Sequence, residues 1–452
     1  MSYIKVVYNN IKKKTKKDDK VIGVPFSEYE FNCLVKKIVD DSTTGTWIDM
    51  KGLSAIKLNE DGVHNRYKAR VWDKDAYTGY LILEFPVDNF DFNYAGIPLL
   101  LGTIAGDILS YPELYSINIA DIHFPEEVED FFKGPKCGIS GVRELLKVYD
   151  RPILAFTAKP RLGLTPEEYA KLLVEVAKGG VDIVEDDERL VNPVYCNIID
   201  RAEAVLKAFK NNGIKTIYSV NITGNANKAV EMAEKLIDLG IKMLKIDVLP
   251  AGFAELQAVS EFLHEKKYDV PITVYPGMGQ VYKCFSKKVI LKLARMAGAD
   301  IIYAATPYMS RIGRHDVEST SGDVVFKIQD AVADLERVKE LHYILTGTKK
   351  YKPSLPTVST SIHPGVILLL QQLFNKKDFA YFVGGTIVAV PDEFGGPKAG
   401  AEICLEAIKL GQQGKFELGD FSAKSQKILD YFNHIWDLPS EKLIEEFNKC
   451  TK

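Results

Sequence analysis

The sequence predicts an α/β protein composed of an eight-stranded (β/α)8 TIM barrel and a smaller N-terminal α+β domain. Three observations indicate this fold. The chain has 452 residues, which exceeds the length of one average domain. Its first 136 residues mix strand-like and helical stretches without a regular repeat. From residue 151 onward, eight apolar runs of strand length alternate with helical patterns, which is the count of a closed barrel.

The predicted N-terminal domain covers residues 1–136. Residues 28–39 have a helical pattern, and residues 69–71 and 80–86 are strand-like. The densest basic segment, residues 12–17, is interpreted as a solvated loop. These segments together favour a small α+β domain.

The predicted barrel covers residues 137–415, and a helical tail covers residues 416–452. The first barrel helix has well-marked ends, because Thr165 is a natural N-cap, Pro166 suits the first turn, and Gly179 and Gly180 follow the last turn. The strands are predicted at 152–157, 181–185, 216–221, 242–248, 271–275, 300–304, 355–359 and 379–384, and helices at 166–178, 227–239, 287–297 and 398–410.

Catalytic groups of such barrels lie at the carboxyl ends of the strands, so these positions are the candidate site. Strand two ends in four consecutive acids, residues 185–188, for which hard cations are the usual partners. Strands seven and eight are followed by 359–361 and 384–386, where such barrels commonly bind phosphate through backbone N–H groups. A small phosphorylated substrate is therefore expected.

The composition excludes several other function classes. The net charge is −3 and no basic stripe with interleaved aromatic residues occurs, so no nucleic-acid partner is expected. No apolar run has membrane-spanning length, and the first residues lack a signal-peptide core. The six cysteines are scattered without CxxC spacing, which favours reduced thiols in a cytoplasmic protein.

Five short motifs together resemble the large chain of ribulose-bisphosphate carboxylase, RuBisCO. The resemblance implies a ferredoxin-like N-terminal domain, a TIM barrel, and a homodimer, or a multiple of dimers, in which the small domain of one subunit completes the other subunit's site. The motifs are Thr43-Thr44-Gly45-Thr46-Trp47, Gly134-Pro135-x-x-Gly138-Ile139-x-Gly141, Thr157-x-Lys159-Pro160-x-Leu162-Gly163-Leu164, Gly179-Gly180-Val181-Asp182 with Asp186-Asp187-Glu188, and Gly384-Gly385-Thr386.

The departures from the family pattern argue against carbon dioxide fixation. Glu185 stands where the carboxylase has a lysine that becomes a carbamate ligand of Mg²⁺, and glutamate cannot form that group. The catalytic lysine of the loop after strand six is absent from residues 305–311. The resemblance is therefore to a RuBisCO-like protein, form IV. Five further family residues are replaced, by Asp107, Arg161, the pair Tyr275-Pro276 and Tyr303.

The resemblance implies that only one of the family's two phosphate sites survives. The retained site would use Thr46, Trp47, Gly384 and Gly385, although Ser361 and Val383 replace two of its glycines. The other site keeps a serine, Ser359, but loses its charged groups to Pro276 and Tyr303, while Arg161 is a further candidate for substrate binding. A monophosphorylated substrate is expected, as in RuBisCO-like enolases and isomerases of methylthio-sugar phosphates.

Lys159 aligns with the family's proton-transfer lysine, so the resemblance implies proton abstraction beside a carbonyl with electrostatic stabilisation of the enolate. Asp107 is a candidate second acid or base, and a helix-capping or merely polar role is equally open. Two functions remain: an enolase or isomerase of a phosphorylated sugar derivative, or a catalytically silent binding or regulatory protein. A true carboxylase is a third and less favoured hypothesis.

The cofactor prediction has two alternatives. Glu185, Asp187 and Glu188 supply the charges of the family's metal site, which favours Mg²⁺. However, alternation along strand four places Lys245 and Asp247 on the inner face of the barrel. Lys245 could then reach Glu185 and form an ion pair in place of a metal, because strands two and four share a layer of the barrel.

Overall fold

A computed structural model describes residues 2–45, 63–277, 284–305, 340–347, 350–359, 362–374 and 377–433. The chain divides into two compact units. The first comprises Met1–Lys133, Gly252–Ala254 and Gly277–Ala297, and the second comprises Gly134–Ala251, Glu255–Pro276 and Gly298–Lys452. The sequence-based boundaries at residues 136 and 415 stay predictions.

The first unit contains an antiparallel sheet built around one long strand. Alternate side chains at the start of this strand, Ile4, Val6 and Tyr8, are fully buried, as expected for a strand with one face on a core. The sheet has the order β2-β1-β4-β3, and β5 also pairs with β1. The strands are β1 (Tyr3–Lys17), β2 (Lys20–Val24), β3 (Arg70–Asp75), β4 (Tyr80–Pro86) and β5 (Leu114–His123), and the helices are Glu28–Asp41, Val63–Tyr67, Gly96–Ala105, Glu126–Glu129 and Lys287–Met296.

The prediction of a solvated loop at residues 12–17 is wrong. These residues complete β1 and form an antiparallel hairpin with β2, in which Lys13 pairs with Val24 and Lys17 pairs with Lys20. The turn between the strands consists of Asp18 and Asp19, both with positive φ, and two such residues match the right-handed twist of a tight hairpin. The lysines lie in a strand because charged side chains suit exposed sheet positions.

The second unit is a closed barrel of eight parallel strands, which confirms the predicted fold class. The observed strands differ from the predicted ones by two residues or fewer at each end. They are β6 (Ile153–Thr157), β7 (Ile183–Glu185), β8 (Ile217–Asn221), β9 (Met243–Asp247), β10 (Ile272–Tyr275), β11 (Ile301–Ala305), β12 (Leu355–Ser359) and β13 (Ala380–Val383).

Several helices of the barrel region begin after residues whose side chains cap them. Thr165 accepts a hydrogen bond from the backbone N–H of Glu168 at the start of the helix Pro166–Lys178, as predicted. Of the predicted tail, the structure describes a helix at its start, and residues 434–452 lie outside the described part. The remaining helices are Gly138–Leu146, Ile198–Asn211, Ala226–Leu239, Val248–Ala251, Phe253–Glu265, Pro364–Phe374, Gly385–Val388, Gly396–Gln412 and Ala423–Asn433.

The interior of the barrel changes from apolar to polar along the strands. Near their amino ends the strands contribute a buried apolar cluster that includes Ile153, Ile183, Met243 and Ile301. Two residues after Ile183, Met243 and Ile301, the inward positions are occupied by Glu185, Lys245 and Tyr303, because the side chains alternate between the two faces of each strand. On β6, Ala155 still belongs to the apolar cluster, and the polar residue is Thr157. This polar layer places the candidate site at the carboxyl ends. None of the described helices is long and apolar enough to cross a membrane.

Candidate active site

A buried ion pair between β7 and β9 lies at the centre of the polar layer. The Lys245 ammonium donates a hydrogen bond to Glu185 Oε1 at 2.8 Å and a second to the backbone oxygen of Asp186 at 2.9 Å. The side chains of Lys245 and Glu185 are 1% and 0% exposed. Burial lowers the pKa of Lys245, but the charge of Glu185 outweighs this and holds it above its ordinary value, so the lysine is positively charged.

Two hydroxyl groups complete the environment of Glu185. Tyr303, on β11, donates a hydrogen bond to Glu185 Oε1 at 2.6 Å, and the Ser219 hydroxyl donates to Oε2 at 3.4 Å. The Tyr303 and Thr157 hydroxyls are 2.9 Å apart. Because the Tyr303 proton goes to Glu185, Thr157 is the donor in that contact. Both oxygens of the buried carboxylate therefore have donors, as a buried charge requires.

Lys159 and Asp187 form a second ion pair at the mouth of the barrel. The Lys159 ammonium donates to Asp187 Oδ2, and Arg161 Nε lies 3.6 Å from the same oxygen. Burial raises the pKa of Asp187, but the hydrogen bond and charge of Lys159 more than compensate and hold it below its ordinary value. The Lys159 side chain is 23% exposed, whereas that of Asp187 is fully buried.

The two other acids of the cluster lie in different environments. Asp186 is fully buried and points away from the barrel interior, where its carboxylate is fully hydrogen-bonded. Glu188 is paired with Arg189 Nη1 at 2.9 Å in a more exposed position. The donors to Asp186 are Tyr169 Oη and Tyr218 Oη, both at 2.7 Å, Arg201 Nη2 at 2.9 Å and the Asn221 backbone N–H at 3.0 Å.

Gly384 follows β13 in the predicted phosphate site and lies close to Lys159. A Cβ atom at Gly384 would lie 3.3 Å from the Thr157 backbone oxygen and 3.4 Å from Lys159 Cε. Gly385 begins the short helix Gly385–Val388, and a Cβ atom there would have no neighbour within 4 Å. Ser359 ends β12 on the inward side. The predicted residues Thr46, Trp47 and Ser361 lie outside the described residues.

Asp107 belongs to the first unit and is exposed. It occupies the N-cap position of the short 3₁₀-helix Ile108–Ser110, but its side chain makes no capping hydrogen bond. Its backbone oxygen accepts a hydrogen bond from the Ser110 hydroxyl at 2.7 Å. The capping alternative is therefore not observed, and the catalytic role of Asp107 stays a prediction.

Sequence reasoning assigned no role to two further acids at the carboxyl ends of the strands. Asp247, opposite Tyr275 in the register of β9 and β10, is buried, and burial raises its pKa to about 6. Glu255 accepts a hydrogen bond from the Gly224 backbone N–H, at 3.1 and 2.9 Å to its two oxygens. Burial raises its pKa to about 7. Alternation along β9 places Asp247 on the inner face, whereas no pattern in the sequence singles out Glu255.

Both units of the chain match one family. Residues 10–128 match the N-terminal domain of the ribulose bisphosphate carboxylase large chain, and residues 138–436 match its catalytic domain. The chain belongs to the RuBisCO large-chain family. It is 32% identical over 405 residues to a ribulose bisphosphate carboxylase-like protein of Archaeoglobus fulgidus, with 85% of each chain covered.

This chain is similar to solved structures of two kinds, carboxylases and RuBisCO-like proteins. An octameric RuBisCO from Pyrococcus horikoshii has a TM-score of 0.77 at 26% identity, covering 95% of this chain and 93% of the other. The RuBisCO-like protein MtnW from Alicyclobacillus acidocaldarius has a TM-score of 0.68 at 27% identity, covering 95% and 98%. The family is thus enzymatic, and its members include proteins of both types.

The RuBisCO family implies a magnesium ion at the end of strand two, but the residues as placed here do not fit one. The oxygens of Glu185 are engaged by Lys245, Tyr303 and Ser219, and Asp187 is paired with Lys159. In the described part of the chain, no group of three or more acidic, histidine or cysteine side chains could hold a metal ion. The ion pair named as the alternative to a metal is the arrangement observed.

Proposed function

We propose that this chain is a RuBisCO-like protein that does not fix carbon dioxide and instead catalyses enolase- or isomerase-type proton transfer on a monophosphorylated sugar derivative. The observation that supports this most directly is the partly exposed side chain of Lys159, paired with Asp187 at the barrel mouth and next to Gly384. A base fixed beside a candidate phosphate site is what proton abstraction from a sugar phosphate requires.

In the proposed reaction, the Lys159 ammonium first loses a proton to solvent and then, as the free amine, takes a proton from the carbon next to the substrate carbonyl. The C–H bond breaks, an N–H bond forms, and the electron pair moves to the carbonyl oxygen as an enolate. The positive charge of Arg161, 3.6 Å from Asp187, would stabilise that oxygen. If Lys159 returns the proton to the enolate oxygen, the product is the enol. If it returns the proton to the former carbonyl carbon, and the hydroxyl proton of the first carbon moves to the former carbonyl oxygen, the product is the isomeric aldehyde; neither outcome needs an added co-reactant.

A single phosphate is proposed because only one end of the site offers suitable donors. Backbone N–H groups at Gly384 and Gly385, together with Arg161, would bind a phosphate near Lys159. At the opposite side, Tyr303 is 5% exposed and its hydroxyl group already donates to Glu185. Neighbouring Tyr275 and Pro276 bring no positive charge to that side.

Substrate-dependent hydrogen exchange tests the proposal. The protein is incubated in D₂O with ketose monophosphates, including methylthio-sugar phosphates, and the loss of the carbon-bound proton is followed by NMR. We expect exchange with at least one of these compounds, its loss in Lys159→Ala by a factor of about 100 or more, and no loss in Lys171→Ala, an exposed lysine on the following helix.

Three results would contradict the proposal. Exchange that persists in Lys159→Ala would remove this residue from the reaction. Tighter calorimetric binding of ribulose bisphosphate than of any monophosphate would contradict the single phosphate site, and incorporation of labelled carbon dioxide would identify a carboxylase. Monophosphate binding without any exchange would instead support the silent binding protein.

We also propose a homodimer, or a multiple of dimers, in which Thr46 and Trp47 of one subunit complete the site of another. The octameric assembly of the similar Pyrococcus horikoshii protein supports this proposal. Light scattering should give an even multiple of the 50.6 kDa chain mass. Trp47→Ala should weaken monophosphate binding without changing that mass, and a monomer with full binding affinity would exclude shared sites.

A further inference from the structure

The four acids that end β7 are each matched by a positive charge from the chain itself. Asp187 is paired with Lys159, and Glu188 with Arg189. Glu185 and Asp186, which like Asp187 are fully buried, are paired with two cations that are themselves fully buried. Their partners are Lys245 at 2.8 Å and Arg201 at 2.9 Å. Each acid of the cluster therefore has a cationic partner among the described residues, and Asp187 has a second one in Arg161.

Lys245 differs from the other cations in its surroundings. Its ammonium group binds one carboxylate oxygen and one backbone oxygen, which are the ligand types that hard cations prefer. The rings of Tyr303 and Tyr275 lie 5.4 and 5.9 Å from it, within the range of cation–π attraction. The lysine therefore occupies an oxygen-lined and aromatic environment suited to a positive charge.

We propose that Lys245 is a built-in cation that makes the end of strand β7 independent of divalent metal ions. A divalent ion at Glu185 would have to displace the lysine, and a buried ammonium would then lose its carboxylate. The same pair joins β7 to β9, so the lysine both neutralises Glu185 and holds two strands of the barrel together. This inference does not rest on the proposed reaction.

Metal binding by the unmodified protein is the first test. The protein is purified in MgCl₂, passed through gel filtration and analysed for bound metal, and Mn²⁺ is titrated as a spectroscopic probe. We expect well under one ion per chain and no change in melting temperature beyond about 1 °C with EDTA or Mn²⁺. A stoichiometric ion that Glu185→Gln removes would overturn the proposal.

Substitution of the pair is the second test. Lys245→Met removes the charge at similar length and should lower the melting temperature by about 5–10 °C, because Glu185 is then a buried charge without a partner. Adding Glu185→Gln should recover most of that loss. Mn²⁺ should stabilise the Lys245→Met protein, in which Glu185 has lost its cationic partner. It should stabilise neither the double variant nor the wild type. Lys242→Met, at an exposed position near the start of the same strand, is the matched control.

Each outcome of the substitutions supports or contradicts the proposal that Lys245 compensates the charge of Glu185. A Lys245→Met protein as stable as the control would show that Lys245 does not compensate Glu185. A double variant no more stable than Lys245→Met would show that charge compensation is not its role. If Lys245→Met does not fold, recovery in the double variant supports the proposal, and the metal titration of the wild type remains an independent test.

Discussion

At the scale of single residues, neighbouring acids on one strand end have opposite roles because their side chains alternate in direction. Glu185 and Asp187 point into the barrel, whereas Asp186 points outward to a tyrosine on each side and to Arg201. Asp186 is thus a structural anchor between two functional candidates. Its network fixes the backbone from which Glu185 and Asp187 project.

Asp186→Asn should therefore destabilise the protein strongly. Removing the charge leaves Arg201 buried without its carboxylate, which typically costs about 3–5 kcal/mol of unfolding free energy. Urea unfolding followed by circular dichroism measures the loss. Glu188→Gln breaks a more exposed pair on the same segment and should cost less than about 1 kcal/mol. Equal effects of the two substitutions would show that Asp186 is not the anchor.

Glu185→Lys introduces the residue type that the family resemblance implies for the carboxylases at this position, but it should not restore their metal site. The new ammonium would lie against Lys245, so two like charges would meet in a buried site. We expect a melting temperature about 5 °C or more below that of the wild type. Adding Lys245→Met to Glu185→Lys should recover part of the loss. A stable single variant would mean that Lys245 can turn away from this position.

At the scale of elements, the helix after β6 follows the loop of Lys159. The loop runs from β6 to Thr165. The Thr165 hydroxyl accepts a hydrogen bond from the Glu168 backbone N–H, and the Glu168 carboxylate accepts one from the Thr165 backbone N–H. On its buried side, the helix packs through Tyr169, Leu173 and Val176. The capped helix start thus holds the far end of the loop that contains Lys159, the residue of the proposed chemistry.

Thr165→Ala should reduce the unfolding free energy by about 1 kcal/mol, because one backbone N–H at the helix start loses its acceptor. Thr165→Ser keeps the acceptor and should stay close to the wild type. Urea titration of the three proteins provides the comparison. If the alanine and serine variants behaved alike, the cap would not contribute to stability.

The parts of the structure that the sequence could predict are those with local signals. Alternation along β9 was sufficient to place Lys245 opposite Glu185, and the cap at Thr165 could be recognised from adjacent residues. The hydrogen bond of Tyr303 to Glu185 joins residues 118 positions apart. No local pattern specifies such a contact. The hairpin at residues 12–17 was missed for a different reason, because its turn uses two aspartates rather than the more common glycine.

At the scale of the whole molecule, buried carboxyl groups with raised pKa make folding stability depend on pH. Glu255 is one such group, since burial raises its pKa to about 7 in the folded protein from 4.5. Between these two values the folded state binds more protons than the unfolded state. Stability from this group is therefore present at low pH and is lost as the pH rises through 7.

Glu255→Gln should flatten the pH dependence of stability. The wild type should lose about 1–3 kcal/mol of unfolding free energy from this group between pH 5 and pH 8, because deprotonation leaves a buried charge whose only protein donor among the described contacts is Gly224 N–H. Glutamine does not titrate, so the variant should lose correspondingly less. Urea unfolding at both pH values measures the difference, with Glu261→Gln, an exposed residue on the same helix, as the control. Parallel pH profiles for the wild type and Glu255→Gln would show that this carboxyl is already ionised at pH 5 in the folded protein.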